Sequence, residues 1–543
     1  MKIEVNKSNL LGVGDIDLRG PDWFIDDNAN IVQKNLTLDQ NIFINGHVYF
    51  NETYFHFLDS KLEFIAVPAA PLNEVYYYES ETHFIFSTDL DVINATIAPF
   101  IDVSESNFFL RKGYCSPGKT FFSNVYRLKT GSIYYINNRQ LDSKNCNYTP
   151  YTFSKKNQYK ILKKSIKECL KLESNNQKVG VLFSGGVDSL SIAIILEELN
   201  IPFYLYTGKE IPPNKENIQD IKVASLIASH KGWSHKVVDI NYNNFSIDNI
   251  NKIVKEMPLA SHLSIIFLHL MKVMKNDDIT CVYSGQNLDN LYNFGMTGSF
   301  SFSRAGMLDI ARRYFFSPFY SESFDKSLIA RLPSLIPGSI ILYGYMLMKK
   351  KWMYRLPKSK KELIDNFVNS PENVVFVNRN SVFNKESSLA YIDVRKSVLR
   401  YRIQSYTPSG ASFSIIKSGL LNDIKPILPF SAENVLPIFN SLEASFSDVL
   451  FPKKMIYEII AEKNSDLLKL IKTKHNIVGA PQFHQWVMND FLKTKFGKSI
   501  HENCSTKCNN LDLSTGALKL ACCLSSVWIN KVLSQSKSKL KIE

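Results

Sequence analysis

The stretch VGVLFSGGVDSLSIAIILEELN, Val179 to Asn200, decides how this chain is read. An apolar run ending at Phe183 stops abruptly at Ser184, and a helix-like pattern follows at once. Gly185 and Gly186 between them leave room for a phosphate chain to approach the backbone. Their N–H groups, with those of the helix that opens near Asp188, form a concavity that attracts anions. Ser184 and Ser189 can add hydroxyl hydrogen bonds to phosphate oxygens, and Leu182 is the last strand residue before them. Asp188 would repel a phosphate unless it held a divalent cation, so the string implies a nucleotide bound with Mg²⁺. A plain strand-to-helix turn with a capping aspartate would account for the glycines alone, but not for the whole string.

Outward from this point the chain alternates. KVGVLF, PFYLYTG, HKVVDI and ITCVYSG read as strands, with helical patterns over 188–199, 217–231 and 261–275 between them. That rhythm predicts an α/β domain, a parallel sheet with helices on both faces, spanning 156–495 and largely helical beyond about 300. Ligands of such sheets bind at the carboxyl ends of the strands, where Thr207, Ser284 and Gly285 fall with the loop. Residues 1–140 read instead as β-rich. NIFINGHVYF, KLEFIAVPAA, EVYYYES, THFIFSTD and LKTGSIYYINN are short runs of β-branched and aromatic residues between turn formers. NNRQLDSKNCNYTPYTFSKKNQ (137–158) is polar and pattern-poor and reads as a linker. Residues 496–543 form a polar extension.

Bulk properties bound the rest. The 543 residues suffice for two or three domains, with 45% hydrophobic and 21% charged residues, an ordinary soluble balance. Sixty-four Lys and Arg against 51 Asp and Glu give a net charge of +13. The lysines are dispersed, with no dense basic block before KSKLK at the C-terminal end, so an acidic ligand or a peptide fits better than nucleic acid. MKIEVNKSNLLGVGD lacks the apolar core of a signal peptide, and IPGSIILYGYMLM (336–348) is too short to span a bilayer and reads as a buried helix. The eight cysteines form no C-x-x-C pair, and Cys504 and Cys508 alone do not make a metal site. A reduced, cytoplasmic protein without a membrane span or nucleic-acid partner is expected.

SGGVDS matches the PP-loop signature S-G-G-x-D-S, and no G-K-[ST] follows, so it is not a Walker loop. CVYSGQNLDNLYNFG (281–295) resembles the second motif of the asparagine synthetases, a strand followed by T-G-x-G-x-D-E. LFPKKMIYEIIAEKNSDLLKLIKTKHNIVGAPQFHQW (450–486) resembles that family's C-terminal stretch. PLNEVYYYESETHFIFSTDLDVI and GKTFFSNVYRLKTGSIYYINN resemble segments of its N-terminal glutamine amidotransferase domain. The resemblance is therefore colinear over much of 40–490, to the class B asparagine synthetase superfamily. It implies a degenerate Ntn-amidotransferase-like domain followed by a PP-loop domain of the adenine nucleotide alpha hydrolase kind. It also implies ATP and Mg²⁺ as cofactors, with Asp188 and Asp289 sharing the metal. The residues implied to bind ATP are Leu182, Ser184, Gly185, Gly186, Asp188, Ser189, Thr207, Ser284 and Gly285. Lys474 matches the family lysine that stabilises the tetrahedral intermediate, and Lys454 is a second choice.

Three departures narrow the expectation. The glutamine-using members carry a cysteine directly after the initiator Met, activated by its own α-amine. This sequence has Lys2 there and no cysteine before Cys115, so no glutaminase is expected. Gln286 stands where relatives resemble G-E-G or G-Y-G, and a glutamine can orient a substrate amine but cannot take its proton. In the same motif Asn287 replaces the second glycine and Asn290 the glutamate. Finally, YTPSGASFSIIKSGLLNDIKPILPF (406–430) lacks the acidic residue of E-x-R-x-P-F and keeps only the PF, which argues against an aspartate pocket. The relatives that remain are amide-forming cyclases, namely the lasso peptide (microcin-type) isopeptide cyclases and the β-lactam synthetases, and Gln286 disfavours the second. The resemblance thus implies an ATP-dependent, AMP-forming amide ligase acting on a peptide or small-molecule carboxylate. A lasso-type macrolactam cyclase comes first, with a leader peptidase or a precursor-recognition protein as companions. An ammonia-dependent small-molecule ligase, or a non-catalytic scaffold with a dead synthetase fold, is the alternative.

Overall fold

A computed structural model describes residues 2–6, 23–25, 31–33, 53–58, 61–72, 74–79, 83–88, 115–137, 140–145, 158–174, 176–211, 215–241, 264–288, 410–432, 434–440 and 453–471, with isolated positions between them. The predicted helix at 336–348, the segment 41–50, the polar extension from 496 and the cysteines at 504, 508, 522 and 523 lie outside the described residues.

The N-terminal strands are β1 (Lys2–Asn6), β2 (Trp23–Ile25), β3 (Ile31–Gln33), β4 (Tyr54–Leu58), β5 (Lys61–Val67), β6 (Tyr76–Glu79), β7 (His83–Ser87), β8 (Val125–Arg127), β9 (Ser132–Asn137) and β10 (Gln140–Asn145). They build two antiparallel four-stranded sheets, ordered β1-β7-β6-β8 and β10-β9-β5-β4, beside the pair β2-β3. The strand β10 corrects the linker reading of 137–158. QLDSKN has no alternating pattern, yet it pairs with β9 from Gln140↔Asn137 to Asn145↔Ser132. A tight hairpin and main-chain hydrogen bonds carry a polar strand at a sheet edge, where no buried face demands apolar residues.

The second region starts with helix α1 (Gln158–Glu173) and continues β11 (Val179–Leu182), α2 (Val187–Glu198), β12 (Phe203–Ile211), α3 (Lys215–Lys231), β13 (His235–Asn241), α4 (Ser264–Asn276) and β14 (Cys281–Ser284). Then follow α5 (Gly410–Leu420), β15 (Lys425–Ile427), a 3₁₀ turn (Pro429–Ser431), α6 (Leu436–Asn440), α7 (Lys454–Asn464) and α8 (Leu467–Ile471). Five strands form one parallel sheet in the order β13-β12-β11-β14-β15. The four strands and three helices expected around the loop are all present. The fifth strand, β15, is only KPI, too short to signal itself; it gains its place by pairing with Cys281–Tyr283.

The sheet is buried on both faces, as parallel sheets require. On one face Val179 and Val181 meet Leu162 and Ile166 of α1, Ile192 and Ile195 of α2 and Ile456 of α7. Helix α2 is apolar nearly all round, with Leu190 to Leu196 buried, because it is sandwiched between sheet and helices. On the other face Met271 and Phe413 share a single cluster with Val238 and Ile240 of β13 and with Leu72, Phe121 and Phe122 of the N-terminal region. Thr130 Oγ1 also donates to the Ile403 carbonyl at 3.1 Å, and Gln404 Nε2 to Ser132 Oγ at 3.2 Å. The N-terminal β region is thereby a wall of the α/β region rather than an appendage.

Candidate active site

The carboxyl ends of β11, β12 and β14 converge on the turn Ser184–Asp188. Phe183 prolongs β11 by one residue, its N–H donating to the Tyr206 carbonyl at 2.8 Å, and its side chain is buried. The chain then breaks at Gly185, whose φ of +71° lies in the left-handed region. A Cβ there would also stand 2.9 Å from the Ala224 nitrogen of α3, so the turn is pressed against that helix. Gly186 takes the N-cap of α2 in extended conformation and supplies no capping side chain. The turn is held from within: Ser189 Oγ donates to the Gly186 carbonyl at 3.3 Å and accepts from the Ser184 N–H at 3.3 Å. A helix start with a bare glycine cap, at the end of a parallel strand, is a geometry that receives phosphate.

Two neighbours close the turn. Thr207 lies where β12 outruns β11; its hydroxyl donates to the Phe183 carbonyl, so His235 Nε2, 2.8 Å away, is the donor to Thr207 Oγ1. Burial lowers the His235 imidazole below its ordinary value, consistent with a neutral ring. On the other side Ser284 and Gly285 follow β14. A Cβ on Gly285 would lie 2.8 Å from the carbonyl carbon and Cβ of Asp188 and from the Ser189 nitrogen. The two loops are therefore in direct backbone contact. Ser284 Oγ accepts the Gln286 N–H at 3.2 Å, which turns the chain so that Gln286 remains half-exposed at the lip.

A residue outside the sequence expectations completes the site. Lys453 Nζ lies 2.7 Å from both carboxylate oxygens of Asp188. Only 9% of the Lys453 side chain is exposed, and it sits at the N-cap of α7 with φ 67° and ψ 17°. A left-handed backbone costs a lysine about 1 kcal/mol, and strain of this kind concentrates at functional sites. Lys454, the second choice after Lys474 from the sequence, is half-exposed and pairs with Glu458 at 3.8 Å. Of these two adjacent lysines, the one with the left-handed backbone is the one paired with Asp188, and composition carries no trace of that difference. Tyr457, one turn into α7, is also close: burial raises its phenol above the ordinary value, Lys453 pulls it back and Asp188 adds to the rise.

The far end of α7 is tied down as well. The ammonium of Lys163 on α1 contacts Glu198 at the end of α2, at 2.7 Å, and Glu462 on α7. Burial alone would raise the Glu198 carboxyl, but Lys163 and Lys167 outweigh it and hold it below the usual range. With Ile456, Ile459 and Ile460 buried between these ends, α7 is fixed along its length, and Lys453 with it.

Ser184, Gly185, Gly186, Asp188, Ser189, Thr207, Ser284, Gly285 and Gln286 thus lie together at the carboxyl ends of β11, β12 and β14, while Leu182, the last residue of β11, packs against the apolar cluster beneath them. Asp289 and Lys474 lie outside the described residues. Among the described residues no group of three or more His, Cys, Asp or Glu side chains is placed to hold a metal ion. The Asp188 carboxylate is an oxygen donor of the kind Mg²⁺ takes, since that ion uses one or two carboxylates plus phosphate oxygens rather than a protein cage, and here both its oxygens are held by the Lys453 ammonium. The E-x-R-x-P-F pattern, laid on KPILPF, puts Lys425 at its acidic position and Ile427 at its basic one. Lys425 pairs with Glu173 on α1 and Ile427 is buried in the core, so neither presents the expected charge. Among the described residues no helix is long and apolar enough to cross a membrane.

Comparison with known proteins agrees with the nucleotide half. Residues 159–313 match the family model for asparagine synthase, which supports the asparagine synthetase superfamily and an ATP-dependent ligase. No curated protein matches the chain. Among solved structures it is similar to the U34-tRNA thiolase NcsA from Methanococcus maripaludis, with its 4Fe–4S cluster, at 15% identity, over 47% of this chain and 85% of that one. The TM-score of 0.23 is too low for that likeness to bear on fold or function.

Proposed function

We propose that the protein is an AMP-forming amide ligase that adenylates a substrate carboxylate and lets a substrate amine displace AMP, with an isopeptide macrocyclase of the lasso-peptide kind as its specific form. The observation that carries the reading is the Ser184–Asp188 turn, bare-capped on α2 and closed by the Gly285 backbone and the Lys453 ammonium.

In this reading ATP is a co-substrate. Gly185, Gly186 and the opening of α2 cradle its pyrophosphate end, and Lys453 neutralises charge there. Asp188 and Asp289 would hold Mg²⁺, which when bound offsets phosphate charge. The substrate carboxylate oxygen forms a bond to the α-phosphorus as the bond to the β-phosphate bridge breaks and pyrophosphate leaves. The amine nitrogen then bonds to the activated carbonyl carbon, AMP departs, and one proton is released. Lys474 is assigned the oxyanion of that second step. Gln286, neutral at the lip, orients the amine and leaves its proton to another acceptor.

The acceptor amine comes from the substrate or from free ammonia, not from glutamine hydrolysis. Within residues 1–140 the only cysteine is Cys115, 1% exposed, and burial pushes its thiol far above the ordinary value, so it has no nucleophilic thiolate to offer. The β region is then an amidotransferase-like domain kept without its chemistry. Lys425 and Ile427, in place of an acid and a base, favour an acid other than free aspartate, and a net charge of +13 suits a peptide. Its companions would be a leader peptidase or a precursor-recognition protein, in the cytoplasm where ATP is supplied.

Isotope exchange between ATP and pyrophosphate, driven by candidate carboxylates, tests the adenylation. Exchange is expected with the right acid and should fall on the order of 100-fold in Asp188→Ala. Release of ADP and phosphate in place of AMP and pyrophosphate would overturn the mechanism. A peptide with a free N-terminus and an internal Asp or Glu should lose one water in mass spectrometry. Amidation of small acids by ammonia, with no reaction of peptides, would replace the cyclase with the small-molecule ligase.

A further inference from the structure

Asn287 stands in the position where the asparagine synthetase pattern has its second glycine. Its φ is +77°, so the backbone does ask for a residue that tolerates the left-handed region, which asparagine does better than most. The side chain goes further than tolerance. Asn287 is 4% exposed, and its amide is used at both ends: Nδ2 donates to Ser431 Oγ at 2.7 Å, and Oδ1 accepts from the Ser412 hydroxyl. Ser412, 1% exposed, lies in the first turn of α5, and Ser431, 7% exposed, closes the 3₁₀ turn after β15.

Three remote segments therefore meet on one carboxamide. One is the loop after β14, whose Gly285 backbone abuts Asp188 and Ser189. The second is the turn that ends KPILPFS, the stretch where the acid-binding pattern is rewritten. The third is α5, anchored in the core by Phe413 next to Ser412. A glycine would allow the same φ but would make neither side-chain bond. It would also leave two buried hydroxyls to find other partners.

We infer that Asn287 is a positioning residue: its carboxamide locks the Ser284–Gln286 loop to the Pro429–Ser431 turn, so that the nucleotide side and the carboxylate side of the crevice are set as one unit. The inference rests on the ligase reading for what the two sides bind, but not for the lock itself.

The test separates the backbone role of Asn287 from its side-chain role. Asn287→Gly keeps the backbone angle and removes the carboxamide; Ser431→Ala and Ser412→Ala remove one bond each. Mg·ATP alone, titrated by calorimetry, is the probe for positioning, and amide hydrogen exchange of the 284–291 segment is the probe for the lock. Asn287→Gly is expected to speed exchange in that segment and to weaken Mg·ATP binding roughly tenfold, the equivalent of one or two lost hydrogen bonds. The serine variants should move both readouts the same way by less. Binding and exchange equal to the unsubstituted chain in Asn287→Gly would reduce Asn287 to a residue that merely permits its φ and overturn the inference. A lowered melting temperature with unchanged Mg·ATP affinity and unchanged exchange would do the same, because that is what a purely structural role predicts. If the unsubstituted chain binds no Mg·ATP, the ligase reading falls, and the exchange rates of the three variants alone decide the lock.

Discussion

Two loops leave the same sheet side by side and are secured by opposite means. The one after β11 keeps every residue of its signature, and its shape comes from glycine: a left-handed Gly185 pressed against Ala224, and a bare cap at Gly186. The one after β14 keeps Ser284 and Gly285 and then departs, and its shape comes from side chains, Asn287 bonded to Ser412 and Ser431. The first loop is held from within, by the hydroxyl of its own Ser189, and the second from outside, by hydroxyls of α5 and the 3₁₀ turn. The lesson is that one loop owes its shape mainly to what is absent at Cβ, and the other to what is added there.

The contrast can be broken most severely at the point where the loops touch. Gly285→Ala puts a methyl 2.8 Å from Asp188 and Ser189 backbone atoms, which cannot yield without moving the phosphate turn. Adenylate-forming activity should fall by about 100-fold or more, since displacements near 1 Å at a reacting centre have effects of that size. Near-normal exchange of pyrophosphate into ATP, with circular dichroism showing a folded chain, would mean that the loops are not coupled as described.

A smaller effect sharpens the comparison through the two adjacent lysines. Lys453→Met leaves the Asp188 carboxylate without its ammonium in a largely buried place and should destabilise the chain by about 3 kcal/mol while also weakening Mg·ATP binding. Lys454→Met, at an exposed pair with Glu458, should change stability by no more than about 0.5 kcal/mol and leave nucleotide binding intact. Chemical denaturation of both variants, with titration of Mg·ATP, decides it. Equal effects would remove Lys453 from the site.

The mildest effect concerns the far wall, at Thr207. Because burial lowers the His235 pKa from 6.5, the folded chain keeps this ring neutral at a pH where the unfolded chain has begun to protonate. The stability it contributes is complete above about pH 6.5 and is lost as the pH falls below that value. The melting temperature should drop from pH 7.5 to 5.5 by more in the parent than in His235→Gln. Identical slopes would show that the ring is not held neutral by the fold.

Much of this was readable in the amino-acid order, and the failures share a cause. SGGVDS could be placed because its constraint is local: strand end, glycines and helix start follow one another within a single turn. The four main strands were legible for the same reason, through continuous apolar runs. Lys453 was not, because its meaning depends on Asp188, 265 residues away, and on one left-handed φ. The strands QLDSKN and KPI escaped because both are recruited by neighbours that already exist, the first at an edge and the second beside β14. Asn287 was seen as a departure, but its partners 125 and 144 residues downstream were invisible.

The cluster that joins Phe121 and Phe122 to Val238 and Phe413 decides where the molecule can be divided. A cut near residue 156, between the two regions, would strip the covering from one face of the parallel sheet and leave a sticky apolar surface in its place. The β-rich region thus acts as lagging on the sheet beside it, whatever else it does. Any attempt to shorten, swap or transplant this enzyme must therefore carry both regions together.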